Sequence, residues 1–242
     1  MSNHIGAGYG SEFHLMRYLA RYRNLLNRRI DEKTGGRVVE WLDFVPGKPE
    51  EYDTSVPNEP VLPDHELVGL EFLKDERGNV VKEWAAFWPQ RGNQQNWDAV
   101  ARMEISGMEY WLLVEAKANT QEIRSDCGAE SESSIKTIDE ALEKTCKAFG
   151  LKPKGNLKIR YYQYANRLAV LHFLKEHNIP AKLLFIYFVG DKNPEKEESC
   201  PKRAEGWEEA LREQYKSIGL DPEKKKTIGV IDLFLDVVPS DA

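Results

Sequence analysis

"WLLVEAKANTQEI", residues 111–123, is the stretch from which the rest of the chain is best read. Trp111, Leu112, Leu113 and Val114 form an unbroken apolar block, the pattern of a strand covered on both faces. The block runs directly into Glu115, Ala116 and Lys117. Side chains alternate along a strand, so Glu115 and Lys117 share one face while Ala116 takes the other. A central strand that finishes this way puts an acid and a base at the rim of a buried sheet.

Working outward, "WDAVARMEISGMEYWLLVEAK" (97–117) reads as two antiparallel strands joined near Gly107. That pairing brings Asp98 across from Glu115. Two carboxylates at the rim of an apolar sheet repel each other unless a positive group joins them, and a divalent cation does this well. Mg²⁺ is content with one or two protein carboxylates, water and a substrate phosphate. The backbone carbonyl of Ala116 offers one more oxygen. Lys117 beside such an ion can orient or help deprotonate an attacking water, or neutralise charge building on a phosphate.

The remaining elements fit around this pair. Ser11 N-caps a helix over 11–30 with Leu15, Leu19, Tyr22 and Leu26 on one face. Residues 37–45 read as a strand, and 46–65, with five prolines, as a loop. Residues 66–88 read as a hairpin turning at "DERGN". Helices follow at 134–150 and 156–177, then a strand at 182–189 that is apolar throughout. A helix at 205–219 and a strand at 227–238 close the chain. The order predicts an α/β (α+β) fold, a mixed central sheet flanked by helices, in a single domain over 1–242.

Composition narrows the function classes. The net charge is −6 with 31% charged residues, which argues against a basic coat over the whole surface but not against a local basic patch. Cys127, Cys146 and Cys200 are sparse and lack zinc-ligand spacing, as expected in a reducing cytosol. The polar, glycine-rich start has no basic segment followed by an apolar one, and no run of 18 apolar residues occurs. The expectation is a cytoplasmic protein with no membrane span. His4, His14, His65, His172 and His177 show no metal-ligand spacing, and His14 is expected at the surface. No G-x-S-x-G is present.

Asp98, a hairpin, and then "EAK" at 115–117 resemble the PD-(D/E)xK nuclease superfamily, the restriction-endonuclease-like fold. The resemblance implies an αβββαβ core over about residues 11–190, with residues 203–238 as an extension. It implies Asp98 and Glu115 as ligands of Mg²⁺ or Mn²⁺, Lys117 as the catalytic base or orienting cation, and DNA as substrate. Trp97 stands before the acid where the family pattern has Pro. Members often add a Glu from the first core helix, here Glu12, placed on the apolar stripe; an acid in a first turn also simply complements the helix dipole. Members also carry a polar residue on the helix after the motif, here Gln163. Arg167 lies four residues on, on the same helix face, to meet a phosphate or solvent.

Arg17, Arg21 and Arg28 share a face of the first helix and can track a nucleic-acid backbone or form an ordinary solvated face. The amides of "QRGNQQNWD", Gln94 and Gln95 among them, would sit at the mouth of the site and reach phosphates or bases. The reading is a divalent-metal-dependent deoxyribonuclease, an endonuclease in preference, with a homodimer left open. The alternative is a non-catalytic nucleic-acid- or protein-binding module on the same fold. A sugar hydrolase using two carboxylates fits least, because Lys117 stands between them.

Overall fold

The computed structural model describes residues 8–42, 67–73, 78–90 and 95–239. Along the chain come α1 (Ser11–Arg21), α2 (Arg23–Thr34), β1 (Arg37–Trp41), β2 (Leu67–Val68), α3 (Gly78–Phe87), β3 (Asn96–Trp97), β4 (Ala99–Ile105) and β5 (Met108–Lys117). Then come α4 (Glu132–Phe149), α5 (Tyr162–Glu176), β6 (Ala181–Val189), α6 (Glu208–Ile218), α7 (Pro222–Ile228) and β7 (Val230–Asp236). Five strands form one mixed sheet in the order β1-β4-β5-β6-β7, and β2 pairs with β3 in a small second sheet. β4 runs antiparallel to β1 and β5, while β5, β6 and β7 are parallel. This is the α/β architecture expected, with helices around a mixed sheet. Among the described residues no helix is long and apolar enough to cross a membrane.

The sheet is covered on both faces, and alternation along β5 shows how. Trp111 and Leu113 join the core beneath α3, α4, α5 and α6, whereas Leu112, Val114 and Ala116 join the core beneath α1 and α2. Glu115 and Lys117, in step with Trp111 and Leu113, therefore face α5. The β4–β5 hairpin closes through Ser106 and Gly107, both at positive φ (52° and 78°). A two-residue loop with that handedness matches strand twist and locks the register. The register pairs Ala99 with Val114, so Asp98 stands opposite Glu115.

Three local expectations are corrected. The helix over 11–30 is two helices broken at Tyr22 (φ −121°, ψ 27°). The break lets His14, Leu15, Tyr18 and Leu19 of α1, and Leu26 and Ile30 of α2, each face the sheet, and the Arg23 side chain donates to the freed Leu19 carbonyl. The N-cap is Gly10 rather than Ser11; its N–H reaches the Asp191 carboxylate at φ 96°, a backbone conformation suited to glycine. Among the described residues of 66–88 the expected hairpin is not formed. Residues 78–87 are helix α3, because Val80, Val81, Trp84 and Phe87 recur at helical spacing and Trp84 packs edge-on to Phe173 of α5 at 5.0 Å. Part of the proposed "DERGN" turn, and strand residues 43–45, lie outside the described residues.

Leu113 is completely buried where the central strand meets the α5 side of the core. Leu113→Ala is expected to lower unfolding free energy by about 2–5 kcal/mol, read from urea denaturation, with an unchanged circular dichroism spectrum in the absence of denaturant.

Candidate active site

The site forms where β3 passes into β4, beside the carboxyl end of β5 and under α5. Asp98, half-buried, donates its N–H to the Val114 carbonyl (3.2 Å), and its Oδ2 accepts the Ala116 N–H at 2.6 Å. Glu115 is only 2% exposed. Its Oε1 accepts from Lys117 Nζ at 2.5 Å, and its Oε2 accepts from Arg167 Nε at 2.9 Å and Nη2 at 2.8 Å. Lys117 is itself buried.

Arg167, in the middle of α5, is the site residue whose place differs most from expectation. It does not face solvent; it is 3% exposed and points into the cluster. Besides Glu115 it donates to the Asn96 carbonyl (2.5 Å) and to Asn166 Oδ1 (2.9 Å), and its guanidinium lies 4.8 Å from the centre of the Trp97 ring. A sequence signal was present: Asn166 and Arg167 interrupt a helix whose neighbours on every side are apolar, so an ionic group there needs a buried partner.

Electrostatics follow from this packing. Burial opposes ionisation of Glu115, but Arg167 and Lys117 outweigh it and hold the carboxyl below its usual range. Burial also opposes charge on Lys117, yet Glu115 and Asp98 push its pKa up. Asp98 is pushed up to about 8, by burial first and the Glu115 charge second, against the pull of Lys117, the Ala116 N–H and Arg167. Near neutral pH the site thus holds two cations, one carboxylate and one protonated acid.

The other expected residues are distributed differently. Glu12 is exposed in the first turn of α1, not on its buried stripe. The buried polar residue of that turn is His14, expected at the surface. Its Nε2 is 2.9 Å from Asp191 Oδ1, and burial, outweighing Asp191, lowers its pKa. Gln163 begins α5, half-buried, one turn before Arg167, and donates its N–H to Ser125 Oγ. Arg17 is fastened to the fold, donating to the Val237 carbonyl (3.2 Å) and lying over Phe13 and Tyr22. Arg21 and Arg28 are exposed around an open depression at the α1–α2 break, so the three arginines do not share one helix face. Gln94 lies outside the described residues. Gln95 is 2% exposed rather than at the surface of a mouth, because the β2–β3 pairing and the Gly69 N–H on its carbonyl draw it inward.

The donor set suits one hard cation of modest demand. Asp98 Oδ1 has no protein donor among the described residues, and Glu115 Oε1 is held only by Lys117. Among the described residues no group of three or more His, Cys, Asp or Glu side chains is placed to share an ion. Two carboxylates and the Ala116 carbonyl match the habit of Mg²⁺, which keeps several waters. Comparison with known proteins finds no matching family model, no similar curated protein and no similar solved structure.

Because the folded protein holds the Asp98 proton to about pH 8 and the unfolded chain releases it near 3.8, this acid's contribution to stability is lost as pH rises through that window. Asp98→Asn keeps an oxygen for the Ala116 N–H and removes the titration. Melting curves at pH 5 and pH 9 should show wild type losing about 3 °C or more relative to the variant at the higher pH. An equal loss in both proteins contradicts the assignment.

Proposed function

We propose that this chain is a divalent-metal-dependent nuclease that hydrolyses DNA phosphodiester bonds, as an endonuclease. The observation that carries the reading is Asp98 at the entrance to β4, in register with Glu115 of β5, with Lys117 following on the same face. The element order supports it: helices, three antiparallel strands of the main sheet with β2, α3 and β3 inserted after the first, helices, then a parallel strand, an order compatible with the superfamily that "EAK" resembles.

Asp98, Glu115 Oε1 and the Ala116 carbonyl would hold Mg²⁺ or Mn²⁺, which supplies Lewis-acid stabilisation of the phosphate and acidifies water. The rest of the chemistry belongs to the chain's own groups. Lys117, released from Glu115, orients the water for in-line attack on phosphorus or meets the charge that builds on the phosphoryl oxygens. Arg167 keeps Glu115 ionised and aimed. Gln163, one turn away on α5, would contact a phosphate oxygen. Arg21 and Arg28 form the exposed basic patch available to the DNA backbone, whereas Glu12 takes no part in this arrangement. A homodimer would let two such sites act on two strands.

A second reading has its own observation: both oxygens of Glu115 already accept from cations, as in a structural ion-pair cluster of a non-catalytic DNA- or protein-binding module. Incubation with plasmid and with short single- and double-stranded DNA, in Mg²⁺, Mn²⁺ or chelator, separates the two. The nuclease cuts only with metal, and Lys117→Ala slows cutting by about 100-fold or more. DNA retained without cutting, and equally well by Asp98→Ala, establishes the binding module.

A further inference from the structure

Arg167 and Lys117 hold Glu115 in unequal ways. Lys117 is a flexible ammonium on Oε1 alone. Arg167 uses Nε and Nη2 on Oε2, Nη2 again on the Asn96 carbonyl and Nη1 on Asn166, and lies over the Trp97 ring. A guanidinium does not lose its proton, and this one cannot withdraw without stripping the buried Glu115 carboxylate of two donors at once. Oε2 is therefore permanently committed, while Oε1 can be handed over.

Resting on the nuclease reading, we infer that the site takes up a single divalent cation, held by Asp98 and Glu115 Oε1. Arg167 is the fixed positive charge on the flank of Glu115 where a second ion would otherwise lie. Two-ion sites keep their ions about 3.5–4 Å apart and share carboxylates between them. Here a second ion would have to share Glu115 with the guanidinium. Like charges that close in a partly buried site disfavour uptake by orders of magnitude. No further carboxylate compensates, since the described residues contain no group of three metal-ligating side chains. Arg167 is thus a positioning residue that sets metal stoichiometry as well as the direction of Glu115.

The test is calorimetric titration of the full chain with Mn²⁺, paired with thermal shift. Wild type should bind one ion per chain, and Asp98→Ala none. Arg167→Met, which removes the charge without adding a ligand, should bind a second ion or bind the first about tenfold tighter or more. Arg167→Lys should stay at one. Two ions in wild type overturn the inference while leaving the metal site standing. So does an Arg167→Met protein unchanged in number and affinity, or a second ion in Arg167→Lys. If Arg167→Met does not fold, the wild-type count against Asp98→Ala decides. No Mn²⁺ bound by wild type removes the metal-site reading and this inference with it.

Discussion

The carboxylate of Glu115 is the constraint on which the surrounding structure depends. An ionised acid at 2% exposure is costly to bury unless charges and hydrogen bonds replace the water it has lost. Lys117 comes from the same strand, and Arg167 from a helix 52 residues further along the chain. Arg167 then fastens Asn96, at the entrance to β4, through its backbone carbonyl. One acid thereby ties β3, β5 and α5 together. An otherwise apolar helix has many near-equivalent ways to lie on an apolar sheet; the ion pair selects one of them.

The same cluster explains why the two acids behave differently although they stand side by side. Glu115 takes both cations and stays charged. Asp98 is desolvated beside a negative neighbour, and together these outweigh its backbone N–H and the nearby cations, so it keeps its proton. The neighbouring polar groups collect at the same end of the sheet. Asp191 follows β6 and receives His14 and the Gly10 N–H, pinning the start of α1, while Glu122, just beyond β5, accepts the Ala118 N–H. In open α/β sheets this carboxyl end of the strands is where ligands are bound.

Much of this was legible from residue pattern. The apolar block at 111–114, the turn at Gly107 and alternation along β5 suffice to bring Asp98, Glu115 and Lys117 together. The misreadings share a cause. The apolar runs of residues 66–88 suggest paired strands, but Val80, Val81, Trp84 and Phe87 bury at helical period against α5, a contact partner absent from the local sequence. A single stripe drawn over 11–30 puts Glu12 inside and His14 outside because it ignores the break at Tyr22; in the structure His14 meets the sheet and Glu12 does not.

What the sequence determined by itself is therefore what depends on near neighbours: strand alternation, the two-residue hairpin and its register, and the acid–acid–lysine set that register creates. These follow from backbone geometry over some 20 residues and need no knowledge of the rest of the chain. What only the tertiary structure decided is the charge state and availability of that set. Arg167 became the partner of Glu115, and Asp98 a protonated acid, because α5 docks across the end of β5 and excludes water there. Burial and long-range ion pairing depend on which distant residues share a volume, and no local pattern encodes that.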